Sequence, residues 1–491
     1  MRRISLCLLL CVVATNAFAR EEYHRNFDRT LTLQSGERVL LEHKFGDITI
    51  RTHSTQDLII HADIRVSASN GTEAKEFADR VEILIEPSAE LSIRTFYPER
   101  PNSFLGFHNV SFSAHYEITM PENSPLIVRN SFGAVSVTGL KADSELTTSH
   151  GELVVRDGRG TQRLENSFAR VEITNNAGNV TVENSNGDVE ARGVTGSLTA
   201  RDRFAKLVID HVSSGLNITN SNGAVEISDS GGFAEIKNSF GDVTVRGCRG
   251  DLTVNNANAK VEASDVDGSA NLKTTFGEVR FANVGRQLTI RAKNSKIGGS
   301  KVGGSLAVVN SFGSVDVSDI GRDVRIESGN GAVSIAKVGG SATITTSFGM
   351  VDARSIRGSL SVTNTNGGVK ASNMQGAQVK TSFAAVLLEG VSGPIDVQNQ
   401  NGAVEVSAAG RNSCEPIAIR TSFSDLRVHL QPEPSYRVSA RTSFGKISTD
   451  LPINTSGSIS NDDLNGVIGA GRCELRLVNN NGSIEILKSG S

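Results

Sequence analysis

The chain has 491 residues with 49 Gly, 20 Phe, only 4 Tyr and no Trp, at a formal net charge of −3. That balance argues against a nucleic-acid partner and against a polybasic membrane contact. Length alone suggests about three globular domains, but abundant Gly, Val, Ser, Thr and Asn is the composition of repetitive β-structure, so repeats are sought before domains.

Residues 1–19 read as a secretory leader. Arg2 and Arg3 form a positive start, Ile4 to Ala14 an apolar run too short to anchor in a bilayer, and Ala17-Phe18-Ala19 a small-residue cleavage site that leaves Arg20 first. A lipoprotein signal at Cys11 is the rival, weakened by Leu10 where a small residue is needed, and Arg2-Arg3 as a twin-arginine signal is weaker still. Loss of Arg2 and Arg3 moves the net charge from −3 to −5. No later stretch is apolar enough to span a membrane, and the tail 488–491 ends on no sorting signal. The expectation is an exported protein without a transmembrane anchor, periplasmic or extracellular at the cell surface. Cys248, Cys414 and Cys473 remain after the leader, and an odd count argues against a disulfide framework.

Residues 20–125 are β-rich but irregular, and read as a cap on the periodic segment that begins at 126. Lys44-Phe45-Gly46-Asp47-Ile48-Thr49-Ile50 gives the repeat motif once in advance. A single helix is predicted over 72–80, with Ala74, Phe77 and Val81 at helical spacing and Thr72 as N-cap. A stack of rungs needs an end that blocks edge-to-edge growth, which is the natural role of this segment.

From 126 to 487 the chain is periodic. Phe132, Phe168, Phe204, Phe240, Phe276, Phe312 and Phe348 recur every 36 residues, and His150, Asn186, Asn222, Asn258, Asn294, Asn330 and Asn366 fall midway. The unit is therefore 18 residues in alternating Phe and Asn versions, continuing through Phe383, Asn401, Phe423, Phe444, Leu464 and Asn481 to about twenty rungs. With Phe or Asn as position zero, position +3 is always Val, Ile or Leu, and +5, +8, −4 and −6 are mostly apolar. Positions +2, +4, −3 and −5 are mostly polar. This is period-2 alternation in two short strands per rung, with corners at Gly near +1 and +10. An 18-residue unit cannot bury its own apolar face, so rungs stack in register at about 4.8 Å into an all-β parallel β-solenoid. The polar −3 and +9 positions do not fit a left-handed hexapeptide coil, and parallel connections favour a right-handed one.

Two columns are candidates for structure or for binding. Position −2 is Asn at Asn130, Asn166, Asn184, Asn220, Asn238, Asn256, Asn310, Asn364, Asn399 and Asn479. Parity places it inside, where an amide ladder can bond to itself and to corner backbone groups rather than to a metal. Position zero shares that parity, so the Phe column is expected in the core, one ring on every second rung, and not as a sugar platform. Cys248 falls at +8 among aliphatics and reads as a buried thiol. Cys414 and Cys473 lie three rungs apart, about 14 Å, so a bridge between them needs displaced loops. His53, His61 and His150 form no metal motif, and the outward acids Asp188, Glu190, Glu226, Asp242 and Glu262 interleave with Lys and Arg as a solvated face.

At the recurring N-S-F-G-x-V-x-V and N-x-N-G-x-V-x-V rungs, the strand His115–Pro121 that leads into them, and the closing Asn480-Asn481-Gly482-Ser483-Ile484-Glu485-Ile486, the chain resembles the bacterial putative-adhesin family of exported β-strand repeats. The resemblance spans roughly 39–487 and implies a solenoid and adhesion, with no catalytic residues to carry over. The expected function is non-enzymatic: adhesin or envelope scaffold, meeting an envelope or surface component, glycan or protein, without cofactor, metal or catalytic residues. The alternative is a polysaccharide-active β-helix lyase or hydrolase, which would break the repeat with an acidic cluster and an aromatic cleft.

Overall fold

A computed structural model describes residues 20–87, 89–98, 110–408, 415–455 and 460–489. The leader and Cys414 lie outside them. The chain divides into two compact units, the first ending at Glu172 and the second beginning at Ile173. The described strands make about 17 solenoid turns.

The first unit opens with β1 (Glu21–Thr32), β2 (Val39–Glu42), β3 (Ile48–His53), β4 (Asp57–Ala68), α1 (Gly71–Asp79), β5 (Glu82–Pro87), β6 (Leu91–Phe96), β7 (Ser111–Pro121), β8 (Leu126–Arg129) and β9 (Val135–Thr138). On one side β1 runs antiparallel to β4 and β4 to β7, after which β7, β3 and β9 are parallel. On the other, β5 is antiparallel to β6, and β6, β2 and β8 are parallel. Both sheets thus close on an antiparallel strand, which cannot template another 18-residue rung. The N-cap of α1 is Asn70, whose side chain accepts a 2.9 Å bond from the Glu73 amide, and not Thr72, which already lies in the first turn. Asn in extended backbone reaches the third helical amide, and the helix starts where that bond forms. Ala74, Phe77 and Ala78 face inward.

Through most of the second unit a strand pairs in parallel with the strand 18 residues on, as in Val225↔Val243↔Val261, with the spacing changing to 17 at Val369↔Val386 and to 22 at Ile395↔Ile417. One rung shows the cross-section: Ala234, Ile236, Asn238, Val243, Val245 and Cys248, at −6, −4, −2, +3, +5 and +8, are all buried. The strand ending at +8 bends first at +7, where Asp229, Asp265 and Asn283 take φ of 54°, 57° and 54° and Gly247 takes 77°. Asn, Asp and Gly tolerate this left-handed conformation best. The corner is therefore written at +7, three residues ahead of the Gly at +10 that marked it in the sequence.

The far end departs from sequence order. Ile417–Arg420 pairs in parallel with Cys473–Asn481, which pairs in parallel with Tyr436–Phe444. The last rung of the chain is inserted between two earlier ones. Leu464 does not open a rung, as its spacing suggested. Its strand, Asp463–Ile468, runs antiparallel to Tyr436–Phe444 and carries Asn454–Thr455 antiparallel in turn. This end also closes on antiparallel strands.

Candidate functional site: an outward aromatic corner

The corner is built from the buried Asn column. The Asn238 amide donates to the carbonyls of Gly223 and Gly241, at 3.1 and 2.9 Å, linking the corner of its own rung to the one before. Asn130, Asn166, Asn220, Asn310 and Asn399 each bond the same pair of corner carbonyls in their own rungs. Asn184 donates to Gly187, and Asn256 and Asn364 to the carbonyls of Gly241 and Gly349. The Asn column is buried, as its parity implied, and its described bonds run to backbone and not from amide to amide. Where the Oδ1 is engaged, it accepts from the next residue's amide, as Asn220 does from Ser221 at 2.8 Å.

Those bonds turn the chain within three residues, −1, 0 and +1. At Gly241 φ is +119°, and a Cβ would stand 2.3 Å from the Gly223 carbonyl oxygen, so only glycine fits. The turn overturns one expectation. Phe132, Phe168, Phe204, Phe240, Phe276, Phe312 and Phe348 are not core: they are exposed, as are Phe383, Phe423 and Phe444. The period-2 rule holds only along an extended strand. Across this bend it reverses, and position zero points to water although −2 points inside. A signal for this was present in the sequence: the same position accepts Asn or His in alternate rungs, between a polar −1 and a Gly +1, which a core column does not.

The column differs between the units. In the first, Phe45 stacks on Phe132 with centroids 5.4 Å apart, and His150 stacks between Phe132 and Phe168 at 4.6 and 4.7 Å. Rings on successive rungs thus stack face to face, and His150 is one of them. In the second unit each Phe is separated from the next by an Asn level, and Asn222 and Asn258 donate to the backbone carbonyls of Arg203 and Ser239.

Ionizable groups elsewhere pair along the faces. Lys206 meets Glu226 at 2.8 Å, and Asp188 and Asp242 accept from the amides of Lys206 and Lys260. Glu190 pairs with Arg192, and Lys260 holds the Glu262 carboxyl below its usual range. His53 bonds the Asp57 carbonyl at 2.8 Å, while Asp28, 2.7 Å from His61, raises that imidazole's pKa. Asp210, His211 and Asp229 meet on an exposed corner as an ion-paired group, with His211 raised by Asp210. Cys248 is free and buried, and burial raises its pKa. Cys473 is disulfide-bonded, with its partner outside the described residues.

In-register parallel rungs around an Asn-braced corner make this a parallel β-solenoid protein. Residues 285–487 match the family model Toastrack DUF4097, a family of unknown function. The match agrees with the resemblance carried by the N-S-F-G and N-x-N-G rungs. A crystal structure of a putative cell adhesion protein from Clostridium sporogenes aligns at 14% identity and a TM-score of 0.20, over 46% of this chain and 100% of that one. No curated protein matches the chain. Among the described residues no helix is long and apolar enough to cross a membrane.

Proposed function

We propose that the protein is an exported, non-enzymatic solenoid that works by contact, as an adhesin or an envelope scaffold. The observation that carries this reading is the outward Phe column, a repeated recognition element spread over many rungs rather than a convergent pocket. An aromatic surface that water would otherwise cover is what a binding face looks like. Export is supported by the leader-like residues 1–19 and by the disulfide at Cys473, a bond that persists in oxidising compartments. The test is a binding screen of the exported chain against envelope fractions and glycans, run beside a variant with Phe276, Phe312 and Phe348 changed to Ser. Binding that the variant loses supports the reading. Glycan cleavage abolished by replacing a single acid would overturn it in favour of a polysaccharide-active enzyme.

A further inference from the structure

The second unit carries a ladder of knobs and gaps of equal height. Along it Phe204, Phe240, Phe276 and Phe312 alternate with Asn levels, and the alternation continues to Phe444. Rungs are about 4.8 Å apart, so successive Phe rings are about 9.6 Å apart with one rung's height open between them. The first unit shows what fits such a space: in Phe132, His150 and Phe168 a ring occupies every rung and stacks on its neighbours at 4.6 and 4.7 Å. The ladder of the second unit is that stack with alternate rings missing.

We propose that a second copy of this chain supplies the missing rings. A ladder whose knobs and gaps have the same height is complementary to itself displaced by one rung. A two-fold axis perpendicular to the ladder, midway between a Phe level and an Asn level, produces that displacement and yields a closed, antiparallel dimer. Each ring then lies over an Asn of the partner, between two of the partner's rings. No other partner matches the 36-residue period by construction, and a lipid surface has no period to match. The area suffices. The rings from Phe204 to Phe423 are 51–59% exposed and Phe444 is 76% exposed, which offers about 900 Å² of aromatic surface, against about 800 Å² per partner in a standard interface.

Flanking charge separates this partner from an anionic one. Position −3 carries exposed Arg201 and Lys237, ion-paired to Glu183 and Glu235, and exposed Lys273, Arg291, Lys380 and Arg420, with Glu183 and Glu327 as the acids in that column. An antiparallel copy brings basic flank toward basic flank, so self-association strengthens as salt rises, whereas an anionic membrane or polymer is released by salt.

The inference rests on the reading of the Phe column as a contact surface. It is tested by sedimentation of the exported chain across concentration and ionic strength, with circular dichroism as a check on folding. The expected result is a reversible dimer favoured by salt. Phe276→Ser, Phe312→Ser and Phe348→Ser together should weaken it at least tenfold with the β-structure unchanged. The decisive variant fills the gaps: Asn294→Phe with Asn330→Phe makes the ladder more apolar, yet should weaken the dimer, because its own rings then occupy the partner's places. A parent that stays monomeric, or gap-filled variants that associate more tightly, would overturn the proposal. So would a monomer that co-sediments with phosphatidylglycerol-containing vesicles and not with neutral ones. If the parent is monomeric but the Phe→Ser variant still loses an envelope component, the partner is wrong and the contact role stands. If the variant changes neither, both fall.

Discussion

Phe444 pairs in parallel register with Asn481, and Asn481 bridges Phe423 on its other side. Along the sequence Phe423 and Phe444 are consecutive Phe rungs, which breaks the alternation; in space the closing rung slips between them and restores it. The order Phe, Asn, Phe is thus kept at a place where chain order alone would have lost it. The inserted strand begins at Cys473, whose disulfide ties down its start. Non-reducing peptide mapping is expected to recover Cys473 in a cross-linked peptide that reduction splits. Reduction should cost about 2–4 kcal/mol and release 473–489 first, read as early hydrogen exchange in that segment. Equal exchange before and after reduction would show that the bond does not hold the rung.

Val243 sits at +3 between Val225 and Val261 and is fully buried, while Thr244 beside it is half-buried on the outer side. Val243→Asp should lose about 1.5–3 kcal/mol of burial and in addition place a carboxylate in an apolar column. Thr244→Asp should shift stability by no more than about 0.5 kcal/mol. Thermal unfolding of both beside the parent decides it, and a larger loss at Thr244 would mean that the inside–outside register is off by one residue.

Asp202 takes the −2 place of the Asn column. Its Oδ2 accepts from the Phe204 and Ala205 amides at 3.2 and 2.8 Å, while Oδ1 is buried without a bonding partner. Burial, with a smaller contribution from Asp188, raises its pKa. A carboxyl whose folded pKa exceeds its unfolded one costs stability as pH rises from the ordinary carboxylate range through the folded value. Asp202→Asn should therefore stabilise the second unit by about 1–2 kcal/mol at neutral pH, with the gain fading as acid protonates the parent. A gain that persists unchanged in acid would rule out charge as its cause.

In the first unit, His43 is buried against Tyr116, its Nδ1 3.1 Å from the Thr95 hydroxyl, and burial lowers its pKa to about 4. A histidine held neutral in the fold but free to protonate near 6.5 when unfolded contributes stability above 6.5 that is lost as pH falls toward 4. The loss should reach about 3 kcal/mol. Urea unfolding followed by Tyr fluorescence, weighted to this unit by Tyr23, Tyr97 and Tyr116, should show that slope in the parent. It should be flatter in His43→Gln. Parallel pH profiles for the two proteins would exclude His43 as the titrating group.

The 18-residue period, the parallel stacking, the six inward positions and the inward Asn column were all legible in the sequence. Each follows from strand alternation and from a repeat too short to bury its own face, and both are local properties repeated many times. The direction of the Phe column was not legible by that rule. Phe240 and Asn238 have the same parity, yet the amide of Asn238 draws the corner carbonyls together and the bend at Gly241 sends Phe240 outward. Strand parity cannot cross a turn whose geometry is set by a bond to the neighbouring rung. The position of the last rung was equally hidden, because Asn481 lies between Phe423 and Phe444 through pairings distant in sequence. Sequence periodicity determined which residues stack. Only the tertiary structure decided which way the corner faces and which rung comes last, because both depend on hydrogen bonds between rungs and not on any rung alone.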